Sequence, residues 1–191
     1  MIENNLIKIK ETSIYKNKLD PEVCNSAVNF IKQLQDKFMH KTWDCDLRNS
    51  GNLTHNILNV EELRNLKFNI MHHIENYMFQ TKKFFDGFIC ESWINIYEKN
   101  YYQEYHDHTS DIYNCICGVV YLTNKNSNII FDTLHTKSIT PQFADIVIFE
   151  DDMLHRVKSN EEELRISLAF NYRKCVPWHG LTETNKEKTN D

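Results

Sequence analysis

Apolar residues recur at helical spacing in two stretches of the first half of the chain. The first runs from Val23 to Phe38, and it follows Asp20 and Pro21, which are suited to an N-cap and a first helical turn. This pattern predicts an amphipathic helix that ends near residue 39 and packs its apolar face on another layer.

The second stretch predicts a helix from Val60 to about Phe79. Asn59 and Glu62 resemble a capping box at its start. Its apolar stripe consists of Leu63, Leu66, Ile70, Ile74 and Tyr77. The N-terminal third of the chain is therefore expected to be helical, with a polar segment of strand or loop between the helices.

From Phe84 onward the pattern changes to short alternating runs separated by turns, which is typical of β-strands. The predicted strands are Phe88 to Glu98, Gln103 to His108, Cys115 to Thr123, Asn128 to Asp132, Lys137 to Ile139, Asp145 to Phe149, His155 to Lys158 and Leu164 to Tyr172. These short strands indicate a mainly β fold with N-terminal helices (α+β). The expected core is a double-stranded β-helix (a cupin-like jelly roll) with the two helices packed on one sheet.

Length and composition fit one domain. The 191 residues are 41% apolar, which argues against disorder over most of the chain. We expect a single domain at 1–178, with a helical part at about 20–80 and a jelly-roll core at about 84–173, followed by a polar tail at 179–191. No second core or internal repeat is visible.

Charge and cysteine usage narrow the partners and the compartment. The net charge is −5 without a basic stripe, which disfavours nucleic acid, and no apolar run is long enough to span a membrane. The six cysteines are scattered without CxxC spacing, so reduced thiols in the cytoplasm are expected. The sequence does not indicate an oligomeric state.

The segment YYQEYHDHTS carries the first candidate chemistry. In a strand, His106 and His108 point to one face and Asp107 to the other, so the two imidazoles could together bind a metal ion. His155 is a candidate third ligand, because it follows a buried strand and an acidic turn. Each of these histidines taken alone is more often a partly exposed polar residue.

Arg165 lies in an alternating strand, LRISLAFNYR, and has two readings. If the Leu–Ile–Leu face packs between the sheets, Arg165 is outside the core and forms a surface ion pair. If Arg165 points inward, its buried guanidinium requires an anion, for which a carboxylate is the natural bidentate partner.

The order of these residues resembles that of the iron(II)- and 2-oxoglutarate-dependent oxygenases: His-x-(acid or His), a distal His, then Arg-x-Ser about ten residues on. More narrowly, HDHTSDIYNCICGVVYL, NSNIIFD, ADIVIFEDDMLHRV and RISLAFN are similar to a phage- and marine-bacterium-associated branch whose motif often reads His-x-His. The resemblance covers roughly residues 88–173. It implies a viral source, and then a location in the host cytoplasm.

The resemblance implies that His106 and His155 bind iron(II). At position 108 most of the superfamily has a carboxylate, whereas this chain has a histidine. We rank His108 first as the remaining ligand, Asp107 second, on a strand bulge that would turn it inward, and an open coordination position third.

The resemblance also implies a cosubstrate pocket. Arg165 and Ser167 match the pair that holds the distal carboxylate of 2-oxoglutarate, and Tyr97 and Tyr121 match positions whose hydroxyl groups often line that pocket. Two further candidates share the strand face of Tyr97: Trp93 and Asn95.

Three functions follow as hypotheses. The first is a dioxygenase that couples decarboxylation of 2-oxoglutarate to succinate with C–H hydroxylation by O2 of a small-molecule or peptidyl substrate. The second is a three-histidine cupin-type dioxygenase that does not use 2-oxoglutarate. The third is a non-enzymatic β-sandwich interaction module. Bound iron(II) separates the first two from the third, and succinate formation separates the first from the second.

Overall fold

The computed structural model of the chain describes residues 6–9, 12–41, 45–109, 115–124, 127–132, 136–161 and 164–175. The predicted polar tail at 179–191 lies outside the described residues. The helices are α1 (Pro21–Leu34) and α2 (Arg64–Thr81). The described strands are β1 (Leu6–Ile9), β2 (Thr12–Lys18), β3 (Met39–Lys41), β4 (Leu47–Asn49), β5 (Gly87–Glu98), β6 (Gln103–His106), β7 (Cys115–Tyr121), β8 (Ile129–Phe131), β9 (Lys137–Ile139), β10 (Asp145–Glu150), β11 (His155–Val157) and β12 (Leu164–Lys174).

The strands form two antiparallel sheets. The large sheet has the order β1-β2-β10-β7-β12-β5-β4-β3, and the small sheet has the order β6-β11-β8-β9. Apolar side chains of both sheets meet between them, among them Phe131 of β8 and Phe149 of β10, whose ring centres lie 5.0 Å apart. Two facing antiparallel sheets with helices on one side confirm the predicted jelly-roll class.

Both helices pack on the outer face of the large sheet. Asp20 caps α1 as predicted, because its Oδ1 accepts a hydrogen bond from the Glu22 amide at 2.8 Å. The apolar stripe of α2 is buried and shares one cluster with the outward-facing residues of β12, which are Ile166, Leu168 and Phe170.

Strand β12 is therefore apolar on one face and polar on the other. Its Leu–Ile–Leu face is covered by the helices, and Arg165, Ser167 and Ala169 point into the space between the sheets. Gly118 on β7 permits this packing, because a Cβ atom there would collide with the Phe170 ring and lie 3.0 Å from the Val147 carbonyl oxygen.

The prediction that the N-terminal third is helical is wrong for β1 and β2, whereas β3 and β4 lie in the segment between the helices that was expected to be strand or loop. β1 and β2 form a hairpin that extends the large sheet beyond β10, and β3 and β4 extend its other edge. In these segments pairing with a distant strand outweighs local sequence preference. Strand β2 has only two buried apolar residues, Ile14 and Tyr15, and they are adjacent among polar residues, so the strand shows no alternating pattern.

The predicted start of the second helix is also wrong by a few residues. Residues 61–63 form a 3-10 turn, and α2 begins at Arg64 without a side-chain cap. Asn59 accepts a hydrogen bond from Lys67 Nζ at 2.8 Å instead of capping the helix.

Neither described helix is long and apolar enough to cross a lipid bilayer.

Candidate metal centre

A cavity lies between the two sheets, with a free volume of about 350 Å³ that includes its open mouth. Strands β5, β7 and β12 of the large sheet form one wall, and β6, β8 and β11 of the small sheet form the other. The lining residues are Trp93, Asn95, Tyr97, Gln103, His106, His108, Val119, Tyr121, Ile129, His155, Val157, Arg165, Ser167 and Ala169.

Three histidines converge on the small-sheet wall of this cavity. His106 at the end of β6 and His155 at the start of β11 are register partners, and His108 follows two residues after β6. Each offers one ring nitrogen, and the three nitrogens lie within 4.8 Å of one another. The strand ends at His106, earlier than predicted, but the His108 amide donates to the Asp151 carbonyl oxygen at 2.8 Å and keeps His108 beside the cluster.

Backbone carbonyl groups fix the tautomers of two of these histidines. His106 Nδ1 lies 2.8 Å from the Glu104 carbonyl oxygen, and His155 Nδ1 lies 2.7 Å from that of Met153. A carbonyl oxygen only accepts, so each Nδ1 carries a proton, and in the neutral form of each ring Nε2 keeps its lone pair. Both rings therefore present Nε2 as the metal-ligating atom.

A side chain fixes the tautomer of His108. Asn171 Nδ2 donates to the Glu91 carboxylate at 2.9 Å, so the Asn171 amide oxygen faces His108 Nδ1, at 3.0 Å. Because that oxygen only accepts, Nδ1 of His108 also carries the proton. The indole of Trp93 stacks on the same imidazole, with ring centres 5.9 Å apart and planes at 17°.

Burial favours the neutral form of His108 and His155. Burial, with a smaller effect of His106, lowers the pKa of His108 to about 4, and the hydrogen bond with Asn171 opposes the shift. The pKa of His155 lies well below its usual value, because of burial first and of His106 and His108 second. Neutral imidazole is the form that binds a metal ion.

Arg165 occupies the large-sheet wall with only 1% of its surface exposed. Its Nε and Nη1 atoms donate to no acceptor in the described part of the chain. The guanidinium instead lies 4.5 Å from the ring centre of Tyr97 and 5.4 Å from that of Tyr121. A buried cation with unsatisfied donors is costly, so this arrangement suits an anionic ligand.

Two tyrosine hydroxyl groups accompany the guanidinium. Burial raises the pKa of Tyr97 to about 12 although Arg165 opposes the shift, so the hydroxyl remains a donor. It donates to Gln103 Oε1 at 2.8 Å, and Gln103 Nε2 lies 3.3 Å from His106 Nε2. The Tyr121 hydroxyl has no hydrogen-bond partner among the described residues. Gln103 thus connects the arginine side of the cavity with the histidine side.

The cavity brings together the residues singled out from the sequence, with one exception. They are Trp93, Asn95, Tyr97, His106, His108, Tyr121, His155, Arg165 and Ser167. The exception is Asp107, ranked second as a ligand, which is exposed and accepts a hydrogen bond from the Thr109 amide at 3.1 Å.

Sequence reasoning missed three polar residues at the site: Glu91, Gln103 and Asn171. Strand parity was the available signal, since Asn171 is on the same face of β12 as Arg165, and Glu91 is on the same face of β5 as Trp93. The contacts of Gln103 with His106 and of Asn171 with His108 depend on how the two sheets meet, which the sequence does not reveal.

The residues present fit a first-row transition metal. Three imidazoles suit iron, nickel, copper or zinc, and a set of three ligands would leave further coordination positions for other ligands. The unsatisfied guanidinium in the same cavity fits a ligand that carries a carboxylate.

No protein-family model and no curated protein sequence matches the chain. Solved structures do match in fold, among them prolyl hydroxylases and an oxidoreductase from Burkholderia pseudomallei described as a member of the 2OG-Fe(II) oxygenase family. The similarity in sequence is low, so these matches establish the fold.

Three of these structures illustrate the match. A prolyl-4-hydroxylase from Pseudomonas putida has a TM-score of 0.70 at 11% identity, covering 85% of this chain and 93% of that one. The viral collagen prolyl hydroxylase vCPH from Paramecium Bursaria Chlorella virus-1, in complex with 2-oxoglutarate, has a TM-score of 0.64 at 16% identity, covering 85% and 96%. HygX from Streptomyces hygroscopicus, with nickel, 2-oxoglutarate and hygromycin B bound, has a TM-score of 0.63 at 9% identity, covering 86% and 84%.

Proposed function

We propose that the protein is an iron(II)- and 2-oxoglutarate-dependent oxygenase. The observation that carries this proposal is the buried Arg165, whose unsatisfied donors share one cavity with three convergent histidines. A structural arginine buried this deeply is ordinarily hydrogen-bonded to acceptors of the protein, and the described residues provide none for Nε and Nη1 of Arg165. The fold shared with 2-oxoglutarate oxygenases supports the same assignment.

His106, His108 and His155 hold the metal ion in this proposal. Bound iron(II) supplies the oxygen activation that couples decarboxylation of 2-oxoglutarate to succinate with hydroxylation of a C–H bond. The protein orients the three imidazoles through the acceptors at their Nδ1 atoms. Phe131 and Phe149 pack around His155 and keep water from that side of the cluster.

Arg165 binds the far carboxylate of 2-oxoglutarate. Its planar guanidinium is held by the rings of Tyr97 and Tyr121 and presents two donors to the cavity. Two hydroxyl groups complete a polar pocket around that carboxylate. One belongs to Ser167, the next residue on the same face of β12, and the other to Tyr121 of β7, the register partner of Ser167. Asn95 lines the pocket from β5, opposite Ser167.

Trp93 is half-buried, lines the cavity and stacks on His108, so the substrate would bind beside it, near the metal ligands. A small molecule, as hygromycin B in HygX, and a peptidyl group, as in the collagen prolyl hydroxylase, are the two classes we propose.

One rival function is favoured by a specific observation. Three histidines without a carboxylate are the ligand set expected of a cupin-type dioxygenase whose substrate binds the metal directly. That function gives no role to Arg165, and the two are separated by succinate formation and by 2-oxoglutarate binding.

Substitution of Arg165 tests the proposal. Arg165→Met removes the guanidinium at similar length, and we expect it to weaken anaerobic 2-oxoglutarate binding to the iron(II)-loaded protein by roughly 10- to 200-fold, since charged hydrogen bonds contribute about 1.5–3 kcal/mol. Iron(II) affinity should stay near the wild-type value, because the histidines are on the opposite sheet.

The matched control is Arg64→Met, at an exposed arginine on α2 that lies over Phe68. It should alter neither affinity. Unchanged 2-oxoglutarate binding in Arg165→Met, or no succinate from the wild-type protein with iron(II), 2-oxoglutarate and oxygen, would contradict the proposal. Failure of the wild-type protein to bind iron(II) would instead favour a non-enzymatic interaction module.

A further inference from the structure

A chain of polar contacts leads from His108 to the protein surface. His108 Nδ1 donates to Asn171 Oδ1 at 3.0 Å, Asn171 Nδ2 donates to Glu91 Oε2 at 2.9 Å, and Glu91 Oε1 lies 3.2 Å from His55 Nε2. His106 and His155, by contrast, use backbone carbonyl groups. The histidine that replaces the usual carboxylate is therefore the one whose tautomer depends on side chains.

The orientation of the Asn171 amide is fixed by Glu91. An asparagine amide could turn either its oxygen or its nitrogen toward an imidazole, with opposite consequences for the ring. The Glu91 carboxylate accepts only from the nitrogen, so the oxygen must face His108. A proton on Nδ1 leaves the Nε2 lone pair for a metal ion, whereas the reverse orientation would place the proton on Nε2 and block it.

The strand register places these two residues together. Asn171 of β12 and Glu91 of β5 are cross-strand partners in the middle of the large sheet, whereas His108 follows β6 of the small sheet. Asn171 and Glu91 are both half-buried, so this pair is held by a rigid ladder and is partly shielded from water.

We propose that Asn171 and Glu91 are positioning residues that make His108 a metal ligand, with Glu91 supplying nearby the negative charge that a neutral imidazole does not carry. This inference rests on the proposed function, because it concerns the same metal centre. It adds that two residues of the large sheet, Asn171 on β12 and Glu91 on β5, fix the tautomer of His108.

Cobalt(II) titration, followed by its visible absorption, tests this role in the absence of turnover. Asn171→Leu removes both hydrogen bonds at similar volume and should weaken cobalt(II) binding by roughly 10- to 100-fold, the usual cost of losing an outer partner of a ligating histidine. Asn171→Asp combined with Glu91→Gln keeps an acceptor for His108 Nδ1 and places an amide donor beside it instead of a second carboxylate, and should restore most of the affinity. Glu91→Gln keeps an acceptor for Asn171 but removes the charge, and should give an intermediate loss.

The matched control is Asn17→Leu, the same change at a half-buried strand residue of β2, outside the cavity lining. It should leave cobalt(II) affinity unchanged. Melting of the metal-free proteins reports whether each variant folds, and Glu91→Gln decides the matter if Asn171→Leu does not fold.

A double-mutant cycle with His108→Ala tests whether Asn171 affects cobalt(II) affinity through His108. Once His108 is absent, Asn171→Leu should cause no further loss of cobalt(II) affinity. The inference is overturned if the loss persists in the His108→Ala background, or if neither Asn171→Leu nor Glu91→Gln weakens binding. Wild-type protein that binds no cobalt(II), or binds it equally well after His106→Ala and His155→Ala, would overturn the proposed function and this inference with it.

Discussion

The chain has a histidine at position 108, where most members of the oxygenase superfamily that it resembles have a carboxylate. The ring is held on three sides: Trp93 stacks on it, Asn171 accepts its Nδ1 proton, and the plane of His155 lies at 10° to it, with ring centres 5.3 Å apart. The side chain of its neighbour Asp107 is exposed and accepts a hydrogen bond from the Thr109 amide. At the scale of single residues, the geometry therefore favours His108 over Asp107 as the third ligand.

Alanine substitutions at these two neighbours give opposite expectations. His108→Ala should weaken iron(II) binding by at least about tenfold, because even an outer partner of a ligand is typically worth 10- to 100-fold. Asp107→Ala should leave iron(II) affinity close to the wild-type value. Anaerobic calorimetry measures both, and a larger loss in Asp107→Ala than in His108→Ala would move the ligand to Asp107.

Single residues of the site were predictable from the sequence where strand alternation was enough. Arg165 and Ser167, two apart, had to share a face, and the structure turns that face toward the cavity. Asn171 is four residues after Ser167 and shares its strand face, so its orientation could have been predicted in the same way. It belongs to no recognised motif, however, and nothing singled it out. Gln103 was not, since its link between Tyr97 and His106 depends on the approach of β6 to β5.

At the scale of elements, β7 and β12 form the centre of the large sheet and separate two cores. On one side Phe170 packs under the helices, and on the other Tyr121 and Cys117 face the small sheet. The close contact of these strands is possible because position 118 has no side chain, so that the Phe170 ring lies directly on the β7 backbone.

Gly118→Ala should therefore destabilise the fold without altering the cavity residues. An added methyl group would overlap the buried Phe170 ring, and overpacking of this kind lowers the free energy of unfolding by about 1–3 kcal/mol. Urea denaturation measures the change. Lys174→Ala, at an exposed position of β12, serves as the control and should stay within about 0.5 kcal/mol of wild type; equal stability of both variants would contradict the expected overlap.

Elements were predicted well where the pattern was local and poorly where pairing was distant. The strands from β5 to β12 were predicted at nearly their observed bounds, because each is a short run with β-type alternation or apolar residues that turns separate from the next. The hairpin of β1 and β2 was not predicted, since it is stabilised by pairing with β10, more than a hundred residues away in the chain. The pair β3 and β4 is three residues per strand, too short for periodicity to register.

At the scale of the whole molecule, the two halves of the proposed site are on different sheets. The histidines belong to the small sheet and its loop, whereas Arg165 and Ser167 belong to the large sheet. Hydrogen bonds already connect the two halves, among them those of Asn171 with His108 and of Tyr97 with Gln103. A ligand that contacts both walls would add a further connection.

Metal and 2-oxoglutarate should therefore stabilise the protein cooperatively. Each ligand at 100 times its Kd contributes about 2.7 kcal/mol when it binds only the folded state. Because 2-oxoglutarate is proposed to contact both the metal and Arg165, the rise in melting temperature with cobalt(II) and 2-oxoglutarate together should exceed the sum of the two separate rises. In Arg165→Met the excess should disappear, whereas strict additivity in the wild-type protein would argue against a ligand that joins the two sheets.

Because Arg165 and the histidines lie on opposite walls, the width of the cavity limits the length of a ligand that can contact both. Sheets that pack face to face keep a nearly constant spacing of about 10 Å, because their side chains interdigitate. An acid that contacts both walls must span what the side chains of Arg165 and the histidines leave of that spacing. Under the proposed function, a dicarboxylic acid that is too short would therefore reach only one wall, so the distance between two layers of β-structure sets a lower limit on the length of the acid.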